Sequence, residues 1–127
     1  MIVLDASVLI AHLDGSDRHH ARARRLLEKH AGEPFGASPI TLAETLVAPA
    51  RAHRLADAEA ALRRLGVREL VLGDETAGRL ASLRVETGLK MPDCCVLLAA
   101  ERFSGAVASF DSALAKAAGS LGLPVAG

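Results

Sequence analysis

The sequence predicts an α/β fold: a three-layer α/β/α sandwich on a central parallel sheet of about five strands. Three observations carry that expectation. Short β-like apolar runs alternate with longer stretches of helical periodicity along the chain. One helical stretch, Asp93 to Phe103, is apolar nearly all round, as suits a helix buried against a sheet. The 127 residues, 50% of them hydrophobic, fit a single domain, residues 1–127, with a sizeable core.

The first strand is placed at Ile2–Leu4, ended by Asp5-Ala6-Ser7 and a new helix. A helix from Arg22 to His30 carries Ala23, Leu26 and Leu27 on one face. Phe35–Ala37 reads as the second strand, and Ser38-Pro39 as an N-cap followed by proline at the first helical position. Leu55, Ala58, Ala61, Leu62 and Leu65 then repeat at helical spacing. The third strand is placed at Glu69–Leu72. Asp74 reads as the N-cap of a helix that stops near Gly88, a residue suited to the position after a helix end. Ala106–Ser109 is the fourth strand, Asp111 opens a short helix stopping at Gly119, and Pro124–Ala126 is the fifth strand. In open parallel sheets ligands bind beyond the carboxyl ends of the strands, so the side chains falling there matter most.

Composition narrows the function. Lys plus Arg is 15 and Asp plus Glu is 15, so a global basic footprint for nucleic acid is absent. Any RNA binding must rest on local patches and on metal ions. No stretch reaches the roughly 18 apolar residues of a membrane span, so no membrane association is expected. Met1 leads straight into Ile2-Val3-Leu4 without a basic n-region, which predicts a cytoplasmic protein. Cys94 and Cys95 are adjacent, neither a disulfide framework nor a zinc pattern, and read as reduced core residues. Phe35, Phe103 and Phe110 are the only aromatics, which argues against base-stacking platforms.

Four carboxylates stand out. Asp5 sits where the first strand runs out, Asp93 follows Pro92 at the head of the buried helix, and Asp111 lies just past the fourth strand. Each alone has a bland reading as a helix cap or as an anion at a helix N-terminus. Glu44 falls on the same helical face as Ile40, Ala43 and Val47, and a carboxylate facing the core needs a partner. The other reading of Glu44 is a capping box with Thr41. Brought to one sheet edge, several carboxylates repel one another unless a cation intervenes. Oxygen-only ligands select a hard cation, so Mg²⁺ or Mn²⁺ is the expected cofactor and zinc is not.

These segments together resemble the PIN-domain family and, within it, the VapC toxins of bacterial type II toxin–antitoxin systems. Ile2-Val3-Leu4-Asp5-Ala6-Ser7 looks like the family's first strand ending in Asp-x-Ser. Ser38-Pro39-Ile40-Thr41-Leu42-Ala43-Glu44 resembles the segment carrying its second acid. Met91-Pro92-Asp93 with Leu97-Leu98-Ala99-Ala100 resembles the third-acid helix, and Ser109-Phe110-Asp111 the hydroxyl-x-Asp element that closes the site. Ser109 stands where Thr is frequent, and Cys94-Cys95 replaces small residues. The resemblance implies a PIN-like fold and Mg²⁺- or Mn²⁺-dependent endoribonuclease activity. It also implies a cognate VapB-type antitoxin and a homodimer. It makes Asp5, Glu44, Asp93 and Asp111 the acidic metal site, with Ser7 and Ser109 as supporting hydroxyls. Water activated by the cation would cut RNA to leave a 5′-phosphate and a 3′-hydroxyl.

The alternative is a catalytically inactive PIN-like or receiver-like regulatory binding module. A receiver needs paired acids after the first strand, but Asp5 is followed by Ala6, and no Lys follows the last strand. A dehalogenase-type phosphatase needs an Asp where Ser7 stands. Arg18, Arg22, Arg24 and Arg25 in one early helix, and Arg51, His53 and Arg54 in a second group, read mostly as solvated surface. His19 and His20 point apart on a helix and read as surface or helix-start residues.

Overall fold

The computed structural model describes residues 1–127. β1 (Ile2–Leu4) leads into α1 (Ala6–Leu13) and α2 (His20–Lys29), and β2 (Phe35–Ala37) into α3 (Pro39–Arg51) and α4 (Leu55–Leu65). β3 (Val67–Glu69) is followed by α5 (Thr76–Thr87) and α6 (Met91–Arg102), and β4 (Ala106–Ala108) by α7 (Ser112–Ser120). The sheet is parallel throughout, in the order β3-β2-β1-β4.

That order explains the layering. The chain steps outward from β1 through β2 to β3, then returns across the sheet to β4. Right-handed crossovers put the outward helices on one face and the returning helices on the other. The core obeys this. Ile2, Leu4 and Phe35 pack with Val8 and Leu9 of α1, Leu26 and Leu27 of α2 and Leu62 of α4. Val3 and Val107, pointing oppositely as alternate strand residues must, pack with Leu83 of α5, Val96 and Leu97 of α6 and Leu114 of α7. Cys94 and Cys95 are buried free thiols, as expected, Cys94 within that second layer.

Local chemistry sets several boundaries. Ser38 caps α3 by accepting from Thr41 N at 3.1 Å, with Pro39 opening the helix. Gly66 ends α4 in the left-handed region, at φ 83°, and the chain enters β3 at once. The third strand is therefore Val67–Glu69 rather than Glu69–Leu72. Leu70 N still donates to Ala37 O at 2.8 Å, but Leu70 is buried as a plug beyond the strand end. Its room comes from Gly36, where a Cβ would stand 2.6 Å from Leu70 Cδ1. The cap of α5 is Glu75 at φ 60°, not Asp74, and no side-chain bond closes that end. Thr76 Oγ1 donates instead to Gly73 O at 2.6 Å, tightening the turn before the helix. The fifth strand shrinks to one parallel bridge, Val107 to Val125. Pro124 accepts from Val107 N at 2.8 Å but has no N–H of its own to extend a ladder.

Candidate active site

The strand order reverses between β1 and β4, where open α/β sheets place their crevices. Asp5 leaves the end of β1, its N donating to Ala108 O of β4 at 2.9 Å. Although it stands at the N-cap position of α1, its side chain makes no cap bond. The carboxylate is instead buried and held through one oxygen. Ser7 Oγ and Ser109 Oγ both donate to Asp5 Oδ2, each at 2.7 Å. Ser7 Oγ in turn accepts from Phe110 N at 3.0 Å, and Ser109 Oγ from Asp111 N at 2.9 Å. A hydroxyl has one proton. With each oxygen accepting a backbone N–H, that proton is committed to Asp5. The network stitches the ends of β1 and β4 together and leaves Oδ1 free of protein hydrogen bonds.

The other three acids surround this clamp. Asp93 lies half-buried in the first turn of α6. Its carboxyl is pushed up, first by burial and then by the charges of Asp5 and Asp111, with Lys90 pulling the other way. Glu44 is also pushed up, by desolvation first and then by Asp5 and Asp93. These mutual effects put the four acids in one electrostatic neighbourhood. Asp111 caps α7, Oδ1 accepting from Ala113 N at 2.9 Å and Leu114 N at 3.3 Å, so its bland reading as a cap holds alongside any further role. No three His, Cys, Asp or Glu side chains stand close enough to hold one ion as they are. Like charges keep the carboxylates apart, while the donor set, oxygen throughout, suits a hard cation.

The expected inward face of α3 is corrected. Its buried side chains are Thr41 and Thr45, whereas Ile40 is 47% and Val47 46% exposed. Buried hydroxyls are tolerated because Thr45 Oγ1 donates to Thr41 O at 2.8 Å and Thr41 Oγ1 meets Ser38 Oγ at 3.0 Å. Glu44 therefore sits on the open side of α3, at the mouth of the acid cluster, not in the core. It also lines a groove of about 600 Å³ between α1, α3 and α4, whose apolar wall includes Ile10, Leu13, Ala48 and Pro49. The basic helix α2 and the helix α4 cover the sheet through Ala23, Leu26, Leu27, Ala58 and Leu62.

One contact escaped the sequence reading. The Arg22 guanidinium lies over the Phe110 ring, 4.5 Å from its centroid, and His19 packs against the same ring at 5.2 Å. The available signal was Phe110 itself, one of three aromatics and placed between Ser109 and Asp111.

Comparison with known proteins follows the same outline. Among curated proteins, none matches this sequence. The chain is similar to a toxin–antitoxin complex from Klebsiella pneumoniae, with 26% identity over 88% of each chain and a TM-score of 0.70. It is similar in fold to VapC20 of Mycobacterium tuberculosis, described as a Sarcin-Ricin loop cleaving toxin. That likeness covers 92% of this chain and 95% of that one at 22% identity and a TM-score of 0.73. FitAcB of Neisseria gonorrhoeae matches over 100% of this chain and 97% of its own at 20% identity and a TM-score of 0.73. The PIN domain model matches residues 2–120, a span that holds all four acids and both serines, and so the chain belongs to the PIN domain family.

Proposed function

We propose that this protein is a metal-dependent endoribonuclease and the toxin of a type II toxin–antitoxin pair. The observation that carries the reading is Asp5, a buried carboxylate fixed by two serine hydroxyls at the β1–β4 edge with three further acids around it. Membership of the PIN domain family and likeness to a toxin–antitoxin complex support it. Asp5, Asp93 and Asp111 would hold Mg²⁺ or Mn²⁺, with Glu44 at the rim. Bound there, the cation supplies acidified water and charge neutralisation at phosphorus.

The chain's own groups have separable tasks. Ser7 and Ser109 grip Asp5 through Oδ2 and so fix which oxygen is left for the site. Glu44, its carboxyl raised first by desolvation and then by Asp5 and Asp93, is suited to take a proton from the attacking water. Attack forms a water O–P bond and breaks the bond from phosphorus to the 3′-oxygen. The leaving oxygen takes a proton to become the 3′-hydroxyl, and the phosphate stays on the 5′ end of the other fragment. An antitoxin segment with an apolar face fits the groove beside Glu44 and would block access by lying across the rim. Ala48→Arg should abolish antitoxin capture while cleavage persists. A homodimer contact fits the exposed Ile40–Val47 face of α3, and Val47→Glu should then sediment as a monomer.

The deciding experiment incubates RNA with wild type plus Mn²⁺, wild type plus EDTA, and Asp5→Asn. Cleavage in the first sample alone supports the reading; undiminished cleavage in either other sample overturns it. One observation favours a second reading, an inactive PIN-like binding module: no three acids already converge on one point. Calorimetric titration separates the two, since such a module should bind Mn²⁺ poorly.

A further inference from the structure

Four acids at one edge repel an RNA strand as they attract a cation. Neutralising phosphates elsewhere needs positive side chains beside the site, and a net charge of zero supplies no general attraction. Arg22, near the start of α2, is a basic group held directly against the Ser109–Asp111 element. Its guanidinium sits 4.5 Å from the centre of the Phe110 ring. That ring is itself anchored, because Phe110 N donates to Ser7 Oγ while Ser109 binds Asp5. Asp111 is the next residue, with consecutive Cα atoms only about 3.8 Å apart.

Arg22 differs from Arg18 and Arg24 in being unpaired, and from the equally unpaired Arg25 in being stacked on a ring. Arg24 is paired with Glu28 at 3.7 Å, and Arg18 Nε donates to His19 Nε2 at 3.2 Å. Arg22 has no carboxylate or hydrogen-bond partner, so its N–H donors are free. Stacking nevertheless holds the planar fork in one place, the arrangement that favours bidentate contact with a phosphate. His19, 5.2 Å from the ring centre and tilted by 42°, supports the ring. With Arg22 on it as well, Phe110 serves as a seat for a cation rather than as a base platform.

We propose that Arg22 binds a phosphodiester of the RNA strand next to the acid site, with Phe110 and His19 as positioning residues that hold its guanidinium there. This rests on the ribonuclease reading, and the test reads binding apart from cleavage. Affinity for a mixed-sequence single-stranded RNA is measured by fluorescence anisotropy across a salt series, with wild type in EDTA so that no cutting occurs. Arg22→Gln should weaken binding several-fold and lower the slope of log affinity against log salt by about 0.7, the value for one phosphate contact on a single strand. Arg22→Lys should keep the slope, because the charge remains. Phe110→Leu, which preserves apolar bulk, should weaken binding with melting temperature little changed. Arg63→Gln, in the last turn of α4 before the start of β3 and so away from the carboxyl ends of the strands, removes equal charge and should leave the slope as in wild type. A slope for Arg22→Gln equal to that of wild type or Arg63→Gln overturns the proposal, as does wild type that binds no RNA. Failure of wild type to cut RNA with Mn²⁺ counts against the nuclease reading instead, and the two results are obtained independently.

Discussion

Between α5 and α6, Glu101 meets Arg79 face on, its Oε2 accepting from Arg79 Nε at 3.0 Å and its Oε1 from Nη2. That contact, led by the hydrogen bonds, holds the Glu101 carboxyl below the usual range. At the β1–β4 edge the arrangement is reversed. The charged groups that act on Asp93 are Asp5, Asp111 and one lysine, Lys90, and both Asp93 and Glu44 are pushed up. One carboxylate is neutralised within the fold; the others are left for something outside it. A protein that gathers acids without partners gives up stability at that place, which is how binding sites commonly differ from structural ion pairs.

The largest expected effect breaks the acid edge itself. Asp5→Asn should reduce RNA cleavage by more than the roughly 100-fold typical of outer-sphere changes, read as initial rate with Mn²⁺. Ser109→Ala should follow, with about 10–100-fold lost in activity or Mn²⁺ affinity. It also removes the acceptor of Asp111 N, an exposed amide that water can then serve, so denaturant unfolding should show a loss of no more than about 1 kcal/mol. Ser109→Thr keeps the hydroxyl and should recover most of both.

Next comes the electrostatic signature. Raised carboxyls mean that the folded state binds protons more tightly than the unfolded chain. Stability then falls as pH rises from the ordinary carboxylate range through the raised values, and the full penalty is present at neutral pH. Glu44→Gln and Asp93→Asn should each raise the melting temperature at pH 7 in EDTA, by about 2–4 °C given partial exposure. The gain should vanish in acid, and Mn²⁺ should raise the melting temperature of wild type above its EDTA value. Unchanged melting for both variants would remove the contrast between the two regions.

The smallest effect tests the other side. Glu101→Gln should lose no more than about 1 kcal/mol at pH 7, because the pair is partly exposed. Here the sign is opposite: the contribution is present above the ordinary glutamate range and is lost as pH falls through the depressed value. Cleavage by Glu101→Gln should equal that of wild type.

Much of this was legible in the sequence, for reasons tied to particular residues. Ile2–Leu4 and Phe35–Ala37 are strands because apolar runs bounded by Asp5 and Ser38 have little other use in a covered parallel sheet. The buried helix α6 announced itself by lacking a polar face. The third strand was misplaced because Leu70 and Leu72 are apolar for packing, not for pairing, and the left-handed Gly66 was the better marker. Glu44 was placed on a core face because Ile40, Ala43 and Val47 share its stripe. That stripe faces solvent, and the threonines face inward.

What the sequence determined by itself was periodicity, caps and the order of four acids, since these depend on neighbours within a turn or a strand. Only the tertiary structure decided that Ser7 and Ser109, separated by 102 positions, hand their protons to one oxygen of Asp5. It also decided that Glu44 faces outward and that Arg22 rests on Phe110. Strand order sets those meetings, and side chains far apart in sequence interact only once β1 and β4 lie side by side.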